Sequence, residues 1–113
     1  MLGKILYDMY GKESYLNYLT EYSKLCEESG ISKAGLATRW VVWNSDLDPT
    51  KGDLVVLGAK NAKQLRKTVE EIERGPLEEW VVERLDGLWK SVEKDAPQDN
   101  FATFKKLSAA GLL

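Results

Sequence analysis

Four stretches of this chain repeat apolar residues at the three-and-four spacing of a helix face, and one stretch breaks that pattern with an unbroken apolar run. From Ser14 to Glu28 the apolar positions are Tyr15, Leu16, Tyr18, Leu19, Tyr22, Leu25 and Cys26. This predicts a helix over 14–29 that stops at Gly30. Ser32 is placed to cap a second helix, over 33–45, with Leu36, Ala37, Trp40, Val41 and Trp43 on its apolar side. A third, over 61–73, opens on Asn61 and has Gln64 three residues later, a pair of the capping-box kind; Leu65, Val69 and Ile72 are its stripe. Gly75-Pro76 ends that helix and starts a fourth, over 77–93, with Val81, Leu85, Leu88, Trp89 and Val92 along one side. Glu78 and Glu79 in its first turn and Lys90 and Lys94 near its end both suit the helix dipole.

The exception is Asp53-Leu54-Val55-Val56-Leu57-Gly58. Four consecutive apolar residues without polar alternation are what a strand buried on both faces looks like, and such strands sit inside parallel sheets covered by helices. A strand is therefore expected over 53–58, yet the chain has no second one of this quality. One strand cannot satisfy its own backbone N–H and C=O groups. The pattern reads as part of a parallel α/β architecture rather than a whole one. A four-helix bundle would bury the stripes against each other but leaves the strand unexplained. Residues 1–12 and the turn-rich Asn44–Gly52 read as loops, and the tail 95–113, with Phe101, Phe104 and Leu107, as partly helical.

Composition narrows the function classes. The chain has 113 residues, enough for one domain, and a formal net charge of −2, which excludes the basic footprint of a nucleic-acid binder. No apolar run approaches the roughly 20 residues that span a bilayer. Met1-Leu2-Gly3-Lys4-Ile5-Leu6-Tyr7 lacks the apolar core of a secretory signal. Cys26 is the sole cysteine, so no intrachain disulfide forms, and a reducing, cytoplasmic setting is expected. There is no histidine, which removes the commonest general base and zinc ligand; no metal site is expected.

Three segments carry a resemblance to a known family. Gly30-Ile31-Ser32-Lys33-Ala34-Gly35-Leu36-Ala37-Thr38-Arg39-Trp40 is similar to the G-I-S-x-A-x-x-A-L-R-W helix of the aldo-keto reductases. Val56-Leu57-Gly58-Ala59-Lys60-Asn61-Ala62-Lys63-Gln64-Leu65 resembles that family's last barrel strand and the helix start after it. Arg74-Gly75-Pro76-Leu77, with Val81-Val82-Glu83 and Leu88-Trp89-Lys90, resembles the last helix of its aflatoxin-aldehyde reductase branch, which is related to the potassium-channel β subunits. From Ser14 to Phe101 the three lie in the family's order.

The resemblance implies a fold that is α/β by origin. The chain would be a single partial domain over 1–113, a C-terminal fragment of a (β/α)8 TIM barrel, here mostly α-helical with one buried strand. It implies descent from an NADP(H)-dependent oxidoreductase acting on aldehydes and ketones. The family's catalytic Asp, Tyr, Lys and His lie on earlier strands, and none maps onto this sequence, so no catalytic residue is assigned and inactivity alone is expected. Tyr7, Tyr10 and Lys12 do not match that motif. The cofactor segment is present. By resemblance, Gly58, Lys60, Asn61, Gln64, Lys67 and Thr68 occupy positions that hold the adenosine 2′-phosphate and adenine of NADP. Gly58 and Gln64 keep the family residue, whereas Lys60, Lys67 and Thr68 replace a usual Ser, Glu or Gln, and Asn. Lys60 and Lys63 offer charge to a phosphate at a helix N-terminus. The bland alternative is that Asn61 and Gln64 only cap the helix.

The remaining readings are structural. Trp40, Trp43, Trp80 and Trp89 read as core or interface packing, with Trp80 as the exposed one. Arg39 is expected to pair with an acidic side chain, and Cys26 to be buried and inert. Phe101 and Phe104 either line a pocket or tuck against the last helix. The orphan strand calls for a partner: self-association through its edge, as in a stand-alone non-catalytic binding or regulatory module, or a chain supplying the missing strands.

Overall fold

The computed structural model describes residues 3–4, 6–7, 11–96 and 101–112. Among the described residues, the helices with both ends defined are α1 Glu13–Ser29, α2 Lys33–Arg39, α3 Ala62–Glu73, α4 Glu79–Val92 and α5 Phe101–Ala109. A π-helical turn, Trp40–Asn44, continues α2, and a single 3-10 turn spans Pro49–Lys51. The described residues fall into two compact units, one of 23–85 and one drawn from 1–22 and 86–113.

In the 23–85 unit the helix boundaries follow local chemistry. Ser32 accepts the N–H of Gly35 on its hydroxyl at 3.0 Å and so caps α2. Gly30 leaves α1 with a positive φ of 70°, a conformation that costs glycine little and most residues much more. Asp48 caps the 3-10 turn by accepting from the backbone N–H of Thr50 at 2.9 Å and its hydroxyl at 2.6 Å. The Thr50 hydroxyl, then its backbone N–H, hold the Asp48 carboxyl below the usual carboxylate range. Leu25, Cys26, Leu36, Leu77, Val81 and Leu85 are the buried apolar side chains here, and α2 packs against α3.

One face of α2 and its π turn clasps the loop that follows α3. Arg39 is 9% exposed; its Nε donates to the Gly75 carbonyl at 2.9 Å and its Nη2 to the Pro76 carbonyl at 3.0 Å. Trp43 Nε1 donates to the Ile72 carbonyl at 2.8 Å, and Asn44 Oδ1 accepts the N–H of Leu77 at 3.1 Å. The wider winding of a π turn, bonded i to i+5, lets Trp43 and Asn44 flank Arg39 on one side. The expected acidic partner of Arg39 is thereby corrected to two carbonyls. A loop containing Gly75 and Pro76 has acceptors to spare, because proline contributes no N–H.

In the other unit, Asp95 is the hub. Its carbonyl accepts from Lys12 Nζ at 2.6 Å and from the Tyr15 hydroxyl at 2.7 Å, while its carboxylate accepts from Ser14 Oγ at 2.7 Å. The rings of Tyr18 and Tyr22 stack at 6.0 Å. Val92 and Leu107 are buried, whereas Phe101 and Phe104 are exposed, so neither tucks away as one reading held. Gly3, Lys4, Leu6 and Tyr7 are helical, which corrects the loop expected there; Tyr10 lies outside the described residues.

The buried strand expected over 53–58 is not formed. Among the described residues there is no strand at all, and Leu54 and Val56 are 87% and 94% exposed. A strand is stable only with a neighbour to share its ladder, and none of the described residues offers one. The tryptophans are likewise not core: Trp43, Trp80 and Trp89 are exposed and Trp40 is half-buried.

Candidate functional site

The site singled out by sequence lies where residues 58–61 enter α3. Asn61 adopts an extended backbone and caps the helix, its Oδ1 accepting the N–H of Gln64 at 2.9 Å. Gln64 reaches back, its Oε1 accepting the N–H of Lys60 at 2.6 Å. The two side chains close a reciprocal box that satisfies two backbone donors. The Thr68 hydroxyl donates to the Gln64 carbonyl at 3.0 Å. Asn61, Gln64 and Thr68 are thus all engaged within the helix itself.

The fit to a phosphate-bearing cofactor therefore divides by residue type. The first-turn N–H groups of Ala62 and Lys63 have no acceptor inside the helix, and α3 is twelve residues long, so its positive end is well developed. Lys60, Lys63, Arg66 and Lys67 crowd four cations into eight residues, and all four are exposed. That set fits a phosphate. Gly58 lies outside any helix or strand in open surroundings: a Cβ built there meets nothing within 4 Å, so no close backbone approach is cradled at this position. Among the six expected cofactor positions, the structure gathers Lys60, Asn61 and Gln64 in one turn. Lys67 and Thr68 follow a turn later, and Gly58 stands apart in the bare run.

Along the other side of α3, Leu65 and Val69 are exposed, and a shallow depression of about 500 Å³ follows Ala62, Leu65, Arg66, Val69, Glu70 and Glu73. Of the apolar stripe expected to be buried, Leu65 and Val69 are uncovered and Ile72 is half-buried. The hydrogen-bond ladder of the chain also has a gap here. Asp53 N–H donates to the Asp48 carbonyl at 3.3 Å, Lys60 N–H is taken by Gln64, and among the described residues no backbone group from Leu54 to Ala59 has a partner.

Other reactive groups are elsewhere engaged. Burial pushes the Cys26 thiol above its ordinary pKa, with Lys33 pulling weakly the other way. Burial also raises the Tyr18 hydroxyl. The Lys12 amine is committed to Asp95. Among the described residues no three His, Cys, Asp or Glu side chains gather as metal ligands, and no helix is long and apolar enough to cross a membrane.

Among the contacts that sequence reasoning missed is one between Gly35 and Glu71. Glu71 Oε2 is buried without a hydrogen-bond partner, and a Cβ built on Gly35 would lie 2.7 Å from it. A glycine inside a helix, between Ala34 and Leu36, was the available signal of close approach.

Comparison with known proteins places these features. The pattern of the Aldo/keto reductase family matches residues 6–90. The oxidoreductase sirO of Leptosphaeria maculans is 43% identical over 95 residues, covering 84% of this chain and 29% of its own length. Aflatoxin B1 aldehyde reductase member 2 of Mus musculus is 41% identical over 61 residues, 54% of this chain and 17% of its own. An aldo-keto reductase of Pseudocercospora fijiensis is 31% identical over 85 residues, 75% of this chain and 29% of its own. The chain spans less than a third of the length of each of these relatives.

Proposed function

The chain belongs to the aldo/keto reductase family, and from that premise we propose that it represents a C-terminal part of an NADP(H)-dependent aldehyde or ketone reductase, one that grips the cofactor's phosphate and leaves catalysis to residues outside it. The observation that carries this reading is the cation set at the start of α3, with Lys60 and Lys63 beside the open N–H groups of Ala62 and Lys63. NADPH, when bound, supplies the hydride for carbonyl reduction. This chain's residues would bind and orient it: lysine charge and the helix dipole both favour an added phosphate, so the contact selects NADPH over NADH. Asn61 and Gln64 act one step back, holding the helix start in place. The family's catalytic Asp, Tyr, Lys and His map onto no residue of this sequence, which supports the reading that the chain alone is inactive.

The test is titration of the purified chain with NADPH and with NADH, read by tryptophan fluorescence and calorimetry. Preference for NADPH, lost in the Lys60→Ala, Lys63→Ala double variant, supports the reading. Equal or no binding of the two overturns it, and turnover of an aldehyde by the chain alone overturns the inactivity.

A second reading is favoured by the bare backbone from Leu54 to Ala59: a non-catalytic module of the same descent that acts through an association surface.

A further inference from the structure

We propose that Arg39, Trp43 and Asn44 are positioning residues for the cofactor: they clasp the far end of α3 and so set where its first turn, with Lys60 and Lys63, meets the phosphate. The proposal rests on the reading above in which that turn grips NADPH.

The clasp consists of four hydrogen bonds. Arg39 Nε and Nη2 donate to the carbonyls of Gly75 and Pro76, Trp43 Nε1 donates to the carbonyl of Ile72, and Asn44 Oδ1 accepts the N–H of Leu77. The Ile72 carbonyl also takes the N–H of Gly75 at 3.0 Å, so Trp43 holds α3 at the point where the helix ends. Trp43 and Asn44 belong to the π turn that continues α2, and such turns are rare and occur frequently at functional sites. Beside the clasp, Glu71 of α3 fills the space that Gly35 of α2 leaves open: a Cβ on Gly35 would lie 2.7 Å from Oε2. The clasp sets the tilt of α3, and this contact sets its roll. At the other end, Asn61 and Gln64 close a box within the first turn, and Leu65 and Val69, next along, are exposed. The first turn therefore takes its placement from the far end. All of these residues lie in the 23–85 unit and in the stretch that matches the family.

The length of the helix makes the clasp matter. The twelve residues of α3 span about 18 Å at about 1.5 Å per residue. A tilt of about 10° about the clasped end carries the first turn about 3 Å, against the roughly 0.5 Å within which a binding contact must be held. The same length separates the clasped carbonyls from the phosphate by about twice the Debye length of about 8 Å at physiological salt. Arg39 thus acts by holding geometry and not through its charge.

NADPH and NADH differ only in the 2′-phosphate, which makes the two effects separable. A first turn set in the wrong place weakens the contact that NADPH alone makes. A fold that is merely loosened weakens both cofactors alike and leaves their ratio unchanged.

The experiment is calorimetric titration of the full chain and three variants with NADPH and with NADH, below the unfolding transition of each, with folding checked by the far-ultraviolet helix signal. Arg39→Lys keeps the charge and loses the fork. Trp43→Phe keeps a ring and loses one donor at a side chain that is 49% exposed, so the test survives a failure of Arg39→Lys to fold. Arg84→Ala removes an exposed ion pair with Glu28 in the same unit and is the control. The ratio of NADPH to NADH affinity is expected to fall about threefold or more in both clasp variants and to keep its natural value in Arg84→Ala. A natural chain that prefers NADPH, with an unchanged ratio in Arg39→Lys and Trp43→Phe, overturns the positioning role and leaves the phosphate reading standing. An equal fall of the ratio in Arg84→Ala does the same. No preference in the natural chain overturns that reading, and the proposal with it.

Discussion

Arg39 and Gly75 are joined across 36 residues of sequence by a single hydrogen bond, from the guanidinium Nε to the carbonyl oxygen at 2.9 Å. Arg39 is buried and, among the described residues, is paired with no carboxylate; its second contact is again a carbonyl, that of Pro76. Burying a charge is costly unless its donors are engaged, and here planar, forked donors meet two acceptors presented by a turn. Gly75 has a φ of 89°, so the turn that presents them is one that glycine adopts without strain.

Arg39→Lys should therefore not be conservative. A lysine keeps the charge but has no fork with which to span both carbonyls. Loss of one charge-assisted hydrogen bond in a buried setting corresponds to about 1.5–3 kcal/mol. The denaturation midpoint in urea is expected to fall with little change in slope. A midpoint equal to that of the natural chain would show that the clasp contributes nothing.

Gly35 and Glu71 should be coupled. In an open helix, Gly35→Ala gains about 1 kcal/mol of propensity. Here the new methyl would meet Glu71 Oε2 at 2.7 Å and Ser32 Oγ at 2.8 Å. Gly35→Ala alone is expected to be neutral or destabilising. Added to Glu71→Ala, which removes the carboxylate oxygen that has no partner, the same change should recover part of the propensity gain. A double-mutant cycle of urea midpoints checks this; additive effects would contradict the close approach.

At the start of α3, helix stability and phosphate binding should separate by residue. Asn61→Ala removes the cap and is expected to cost about 1 kcal/mol. Lys63→Ala leaves both bonds of the Asn61–Gln64 box in place, so it should leave the unfolding midpoint nearly unchanged and weaken NADPH binding relative to NADH. Measuring midpoint and affinity on both variants distinguishes a cap from a ligand contact. Loss of stability in Lys63→Ala without loss of affinity would contradict the assignment.

The helices were legible because their signals are local. Ser32, Asn61 and Gln64 make the very cap contacts that their spacing predicts, and the glycine at 30 turns where a helix must stop. The strand was misread for a reason of the same kind in reverse. Leu54–Leu57 has the composition of a buried strand, but burial and pairing are supplied by other segments, and composition does not say whether those are in the chain. The stripes of α1 and α3 held only in part: Leu25 and Cys26 are buried and Ile72 half-buried, whereas Leu16, Leu19, Leu65 and Val69 carry the same periodicity and are exposed. The clasp of Arg39, Trp43 and Asn44 was illegible because it depends on a π turn and on contacts to carbonyls, which no side-chain pattern records. In the candidate site, the cations were readable from sequence, while the commitment of Asn61, Gln64 and Thr68 to the helix required the geometry.

The last prediction concerns pH. Cys26 is buried, and burial raises its thiol pKa above that of the unfolded chain, with Lys33 only partly opposing. A raised folded pKa means that the folded state holds the proton more tightly than the unfolded one. The associated stability is fully present below the unfolded thiol pKa, about 8.5. It is lost as pH rises through the folded value, because the unfolded thiol ionises first. Tyr18 shifts in the same direction for the same reason, but its unfolded pKa is near 10, so the interval between about 8 and 10 belongs mainly to the thiol. The natural chain should lose stability across that interval more steeply than Cys26→Ala, measured as the urea midpoint against pH. At neutral pH the folded thiol should react with a disulfide reagent only as fast as the chain opens. Parallel pH profiles for the two chains, or immediate labelling of the native protein, would place Cys26 in contact with solvent and contradict its position in α1.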